Sequence, residues 1–290
     1  MHMGTLSDTS LIIKTFERRQ ALERLLDSIA AQGYANCPIL VADDSEESYR
    51  EPVMAQYEGL VDEYVVLPFD SGVSKGRNEL LERVETTYFV TNDDDFVYGE
   101  RTDLEWMREQ LETTDLDLLG GLFYDLRDYL PGPNASLIQR GWYRLLREIG
   151  LRREVVRPYH GRFETSGDTL IMQPVTYSPP YTRCDYTHQF FMADTEAVRE
   201  TVGGWAPEIK AAVEHWEFFY RAKAARLQVA TTEEVGVKHD PIGGGTRYRK
   251  FRDGRADTFQ RMALKRHGFT KRRWLATAME SPEWREFSVE

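Results

Sequence analysis

The chain has 290 residues, 41% hydrophobic and 29% charged, enough to bury the core of one large domain or two small ones. Its net charge of −11 offers no global positive field for phosphate, which excludes a general nucleic-acid binder. No apolar stretch reaches the length of a membrane span and no signal-peptide pattern opens the chain. A cytoplasmic location is therefore expected, with Cys37 and Cys184 as free thiols.

The apolar run Leu11-Ile12-Ile13 predicts a first strand, with Lys14-Thr15-Phe16-Glu17-Arg18 as the loop after it. From Ala21 to Ala31, apolar residues at Leu22, Leu25, Leu26 and Ile29 carry the spacing of one helix face. Cys37 to Ala42 predicts a second strand ending in Asp43-Asp44-Ser45, and Tyr64 to Leu67 a third. Gly72 to Val84 combines a glycine-bearing entry with a helical pattern, and Tyr88-Phe89-Val90 predicts the strand that leads to Asp93-Asp94-Asp95.

A helix is expected over Thr102 to Leu111, then a strand at Leu116 to Leu119 and a tight turn at Gly120-Gly121. The stretch from Tyr124 to about Arg183 reads as an irregular insert with a few strands, suited to acceptor specificity. A helix follows at Glu214 to Ala225, then short strands at Val229 and at Val235-Gly236-Val237, the latter leading to His239. The tail from Gly243 is basic.

Alternation of strands and helices predicts an α/β fold with a mostly parallel central sheet and helices on both faces. Ligands of such sheets bind beyond the carboxyl ends of the strands. Those ends present Thr15, Asp43-Asp44 and the acidic triplet, so three polar clusters converge on one cleft. Three adjacent carboxylates repel one another unless a cation or ligand neutralises them. Carboxylates spaced i and i+2 can share a divalent metal that holds a diphosphate.

Eight segments, in order, carry a family resemblance: Lys14-Thr15-Phe16, Ala42 to Ser45, Gly72 to Asn78, Asp93 to Val97, Gly120-Gly121, Phe190 to Ala193, His215 to Phe219 and Val237-Lys238-His239. On them the chain resembles the inverting nucleotide-sugar glycosyltransferases of the GT-A fold, a Rossmann-like α/β fold. Within these it is most similar to the β-1,4-N-acetylgalactosaminyltransferases of ganglioside-type glycans. Mammalian members carry a membrane anchor and luminal cysteines that this sequence lacks, so compartment and acceptor do not transfer. The resemblance implies a single catalytic domain over 1–242, with a nucleotide-sugar half at 8–121 and an acceptor half at 122–242. Residues 243–290 would form a basic extension.

It further implies Mn²⁺ or Mg²⁺ held by Asp95, with Asp93 on the ribose or the metal shell, Asp94 facing the sugar or supporting the turn, and His239 completing the metal site. An imidazole among the ligands favours Mn²⁺. Asp43 or Asp44 would bind uracil or ribose, Thr15 and Arg18 would line that pocket, and Arg77 and Asn78 at a helix start would suit phosphate or base oxygens. The base that takes the acceptor proton is expected among Glu217, His215 and Glu214. Glu217 is the first choice because it fits the His-x-Glu-Phe-Phe pattern. Trp205 is a candidate sugar platform, and Thr246-Arg247-Tyr248-Arg249 a segment that closes over the diphosphate.

The expected reaction moves N-acetylhexosamine, GalNAc preferred, from a UDP-sugar to a glycan or lipid-linked hydroxyl. The basic C-terminus is a candidate contact with the inner face of a membrane. Rivals are the same fold using UDP-Gal, UDP-GlcNAc or UDP-GlcA, and a non-catalytic glycan-binding module. A nucleotidyltransferase would place a glycine-rich basic loop after the first strand, where Lys14-Thr15-Phe16-Glu17-Arg18 stands instead.

Overall fold

The structure, a computed structural model, describes residues 6–128, 136–148, 151–241, 245–276 and 283–289. Strands β1 (Thr9–Thr15) and β2 (Ile39–Asp43) are buried along their whole length, as parallel strands covered on both faces must be. Helix α1 (Arg19–Ala31) between them buries Ala21, Leu22, Leu25, Leu26 and Ile29, the face set by the sequence spacing. Next come α2 (Arg50–Gln56), β3 (Glu63–Val66), α3 (Val73–Leu81) and β4 (Tyr88–Asp93). The chain enters α3 through Gly72, whose φ of 98° and close approach to Lys210 leave no room for a side chain. After β5 (Phe96–Val97), Asp103 caps α4 (Leu104–Thr113) by accepting the Trp106 N–H at 2.9 Å.

The second half contains β6 (Leu118–Asp128), α5 (Leu137–Glu148), β7 (Arg152–Arg157), β8 (Gly161–Ser166), β9 (Thr169–Pro174), β10 (Thr182–Arg183), β11 (Phe191–Asp194) and the single turn α6 (Thr195–Ala197). Then follow α7 (Glu214–Ala224), β12 (Val229–His239), α8 (Thr246–Phe251), α9 (Ala256–Arg266), β13 (Lys271–Ala276) and β14 (Glu283–Ser288). The main sheet runs β10-β12-β6-β11-β4-β1-β2-β3, with β5 on β12 and β7 on β6. Strands β3, β2, β1 and β4 are parallel, as expected. Beyond them the sheet is mixed, because β11 enters antiparallel between β4 and β6. Helices cover both faces. One core holds Leu80, Phe218 and Leu264 from α3, α7 and α9, and the other holds Leu25 and Met107 from α1 and α4.

Four sequence expectations change. Gly120-Gly121 is not a turn; β6 runs straight through it. A Cβ on Gly120 would lie 2.2 Å from Thr187 Oγ1, and one on Gly121 2.7 Å from Phe190, so the glycines admit neighbouring side chains against the strand. Val229 and Val235–237 belong to one strand, β12, whose register on β6 shifts between Thr231 and Gly236. The described residues of the insert are more regular than expected: they supply α5, β7 and half of a second sheet, β14-β13-β9-β8. The basic tail is no pendant extension either, since β13 pairs in parallel with β9 and α9 buries Phe259, Ala263 and Leu264.

Candidate active site

The register Lys14↔Asp93 and Thr15↔Asp43 sets the carboxyl ends of β1, β2 and β4 side by side. Beyond them lies a cavity of about 200 Å³, lined by Thr15, Arg18, Asp93, Asp95, Glu214, His239, Tyr248 and Arg252 among others. The ends of β1 and β4, with the residues just after them, supply the first four of these. Helix α7 adds Glu214, β12 adds His239, and α8 with the residue after it adds Tyr248 and Arg252.

The three aspartates of the triplet point in three directions. Asp93 is partly exposed and accepts a 2.6 Å hydrogen bond from Arg77. Asp94 is fully buried under the Thr15 hydroxyl at 2.7 Å and the Arg18 guanidinium. It supports the turn rather than facing the cavity. Asp95 accepts from Arg18 at 2.6 Å, and His239 Nε2 stands 3.4 Å from its Oδ2. Burial raises the Asp94 carboxyl to about 6 against the pull of Arg18. Burial works the same way on Asp95, but Arg18 and His239 outweigh it and hold that carboxyl below the usual range.

His239 is oriented from behind. Its Nδ1 meets Asp125 Oδ1 at 2.8 Å, and Arg127 holds the other Asp125 oxygen at 2.9 Å. Burial disfavours the charged ring, yet the bonds to Asp125 and Asp95 prevail and raise it to about 10. Asp125 was not singled out from the sequence; it lies mid-strand in β6, with no spacing that ties it to residue 239.

The second strand end is engaged by protein groups. Asp43 accepts the N–H of Ser45 at 2.9 Å, the N–H of Tyr49 at 3.0 Å and the Tyr64 hydroxyl at 2.8 Å. Asp44 is enclosed by Lys14, by the Gly72 N–H at 2.6 Å and by Arg252 at 2.9 Å. Burial opposes the Asp44 charge, but Lys14 and Arg252 hold its carboxyl below its ordinary value. Lys14 is depressed by burial despite that partner. Arg252 also stacks on Phe16 at 3.8 Å and binds Asp70 at 2.9 Å, while Tyr248 lies over the Arg18 guanidinium at 4.2 Å. Of the segment singled out at 246–249, Tyr248 lines the cavity, while Arg247 pairs with Glu17 and Glu46.

Asn78 does not reach it. Its amide brackets Trp205, donating to the carbonyl and accepting from the N–H, both at 2.7 Å, and so fixes the approach to α7. Trp205 is 1% exposed and stacks on Phe218 at 4.8 Å, so it is a core residue and not a sugar platform.

The three base candidates on α7 separate. Glu217, the first choice, is buried away from the cavity. It accepts from Arg221 Nε at 2.9 and 3.1 Å, with His267 Nε2 at 3.0 Å. Burial opposes its charge, but His267 and Arg221 keep its carboxyl below the usual value. His215 is partly exposed and edge-on to Tyr159 at 5.5 Å. Glu214 lines the cavity, with Oε1 3.6 Å from Arg77 and 3.7 Å from His215, while its buried Oε2 has no hydrogen-bond partner. Burial opposes ionisation of Glu214, yet His215 and Arg77 keep its carboxyl below the ordinary value. Spacing of i and i+3 suggested a shared face; α9 decides otherwise, because its C-terminal His267 covers Glu217 alone.

The family model described as Glycosyl transferase family 2 matches residues 10–173, more than half of the chain. Human (Homo sapiens) beta-1,4 N-acetylgalactosaminyltransferase 1 is 30% identical over 243 residues, covering 79% of this chain and 38% of its own length. Mouse (Mus musculus) beta-1,4 N-acetylgalactosaminyltransferase 2 is 31% identical over 230 residues, covering 79% and 39%. The chain therefore spans about two-fifths of the length of these curated relatives.

Among solved structures, GalNAc-T7 with UDP, GalNAc and Mn²⁺ superposes with a TM-score of 0.59 at 14% identity, covering 89% of this chain and 47% of that one. S. aureus TarS in complex with UDP gives 0.53 at 14%, covering 90% and 71%. At such identities the likeness is one of fold, the GT-A fold of nucleotide-sugar transferases. With its parallel strands β1 to β4 inside the matched span and its acidic strand end at the cavity, the chain belongs to glycosyl transferase family 2.

Proposed function

We propose that the chain is an inverting, metal-dependent glycosyltransferase that moves N-acetylhexosamine, GalNAc by preference, from a UDP-sugar to a hydroxyl of a glycan or lipid-linked acceptor. The observation that carries it is Glu214, a buried carboxylate with an unpartnered oxygen, facing the same cavity as Asp93, Asp95 and His239. The relatives' names support the GalNAc preference, and the neighbour holding UDP, GalNAc and Mn²⁺ supports the donor and the metal.

The donor set suits a divalent cation. Asp95 offers a carboxylate, and His239 offers Nε2 with Nδ1 anchored on Asp125, the carboxylate–imidazole arrangement that orients metal-binding histidines. Among the described residues no three such side chains form a complete cation site, so the diphosphate and water would complete the coordination. Arg18 would have to release Asp95 and His239 its proton, which makes binding pH-dependent. The bound metal would supply electrostatic stabilisation of the departing diphosphate.

The chain's own residues supply the rest. Glu214 Oε2 takes the acceptor proton as the hydroxyl oxygen attacks the anomeric carbon; the bond to the phosphate oxygen breaks and its electron pair leaves with UDP. Arg77 and His215 hold Glu214 ionised for that task. Arg77 also fixes Asp93, and Arg18 and Arg252 add positive charge where the leaving group becomes more negative. Tyr248 excludes water above Arg18.

The test is UDP release from a panel of UDP-sugars with Mn²⁺, Mg²⁺ or EDTA, with the product anomer read by NMR. Metal-dependent release favouring UDP-GalNAc, with a β product once an acceptor is found, is expected. A preference for another donor would leave the site and correct the sugar. No release together with no UDP affinity would return the glycan-binding module.

A further inference from the structure

Among the described residues no element covers helix α5. Ile138, Trp142 and Leu145, spaced i, i+4 and i+7, are 86%, 60% and 44% exposed. Such spacing puts them on one face, and they line a shallow apolar groove of about 370 Å³ with Gln139 and Tyr143. Leu151, whose N–H closes on the Leu146 carbonyl at 2.9 Å, adds another half-exposed apolar side chain at the helix end. Isolated exposed apolar residues need no explanation; a contiguous stripe on a helix does.

Charge indicates what covers it. The sequence over 136–157 contains six arginines against two glutamates, a net +4 in a chain whose net charge is −11. Arg144, between Trp142 and Leu145 in sequence, has a side chain 76% exposed that pairs with Glu148 at 3.0 Å on the helix surface, and Arg153 is exposed on β7 just after the helix. Tryptophan and leucine on one side with arginine beside them is the composition of helices that lie in the headgroup layer of an anionic membrane. Among the described residues no helix is long and apolar enough to cross a bilayer.

Topology links this helix to a strand of the site. β6 carries Asp125, which orients His239, and runs three residues further to Asp128, about 10 Å of extended chain, before α5 and the return strand β7. In chain order, helix α5 therefore lies between the end of β6 at Asp128 and the return strand β7, which pairs with β6 beside Asp125. The basic C-terminus is less suited: Arg266 is engaged by Glu208 and Glu217, and Arg272 lies over Trp274 at 4.2 Å within the second sheet.

We propose that α5 docks the protein on an anionic lipid surface through Ile138, Trp142 and Leu145, with Arg144 and Arg153 on the headgroups. The surface stands on its own geometry. Its use, holding a lipid-linked acceptor at the cavity, rests on the transferase reading.

The test is flotation of the full chain with vesicles of phosphatidylcholine alone or mixed in equal parts with phosphatidylglycerol, at low and high salt. Wild type is compared with Ile138→Ser/Trp142→Ser and with Arg144→Glu/Arg153→Glu, and thermal melting confirms that each is folded. The wild type should float with the anionic vesicles, less so at high salt, and each double variant should bind about tenfold or more weakly. UDP release from a soluble donor should be unchanged in both, so a failed transferase reading would appear there and not in the flotation. No binding to anionic vesicles, or equal binding by wild type and the Ile138/Trp142 variant, overturns the proposal. So does a wild-type dimer in light scattering that this variant abolishes, because a second copy would then cover the face.

Discussion

Glu214→Gln and Glu217→Gln, three residues apart on one helix, should fail in opposite ways. Glu214 has its nearest partners, Arg77 and His215, at 3.6 and 3.7 Å and one buried oxygen without a hydrogen-bond partner, so its charge is held more loosely than that of Glu217. Glutamine keeps its volume and removes the carboxylate proposed as the base. The turnover rate should fall about 10²- to 10⁴-fold, roughly 3–5 kcal/mol of barrier, with the melting temperature nearly unchanged.

Glu217 is the reverse case. Its fully buried carboxylate holds Arg221 by two bonds and meets His267 by a third, and its loss leaves the Arg221 guanidinium without a counter-charge. Breaking a buried pair from one side costs about 3–5 kcal/mol, and glutamine retains one acceptor, so about 3 kcal/mol is expected. For a domain of this size that lowers the midpoint by roughly 5–10 °C. Turnover per folded molecule, measured well below the midpoint, should stay within about threefold of wild type. The assay is UDP release beside differential scanning calorimetry on both variants. If Glu217→Gln abolished turnover at an unchanged midpoint, or Glu214→Gln kept full turnover, the assignment of the base would be wrong.

Other outcomes follow from the same geometry. Because His267 and Arg221 hold Glu217 below the usual 4.5, its contribution to stability is present above that pH and is lost as pH falls through the depressed value; wild type should destabilise below about pH 4.5, with a shallower acid slope in Glu217→Gln. Denaturant midpoints against pH would read this. Tyr248→Ala removes the ring over Arg18, and calorimetry should show UDP binding weakened about tenfold, within the range of a partly desolvated cation–π contact. Gly120→Ala forces a methyl against Thr187 in a filled interior and should cost about 1–3 kcal/mol by thermal melting, with no change in metal dependence.

The parallel half was legible because parallel strands covered on both faces leave plain apolar runs, and the residues just after each run stand at the carboxyl edge of the sheet. Thr15, Asp93 and Asp95 were found that way, and the structure brings them to one cavity. The second half hid its order. A strand carried through two glycines looks like a turn until Thr187 and Phe190 are seen against it. Glu214 and Glu217 are equal in helical spacing, and only His267, fifty residues onward in sequence, tells them apart. Trp205 read as a candidate sugar platform because its stacking partner Phe218 belongs to another element. Asp125 had no local signal, since its link to His239 is made by strand register alone.

The central claim is that this cavity holds a nucleotide diphosphate through a cation on Asp95 and His239, and UDP binding by calorimetry tests it without any acceptor. The account predicts measurable UDP affinity with Mn²⁺, a loss of about tenfold or more with EDTA, and no metal enhancement in Asp95→Ala. UDP affinity that is the same with Mn²⁺ and EDTA in the wild type would contradict it.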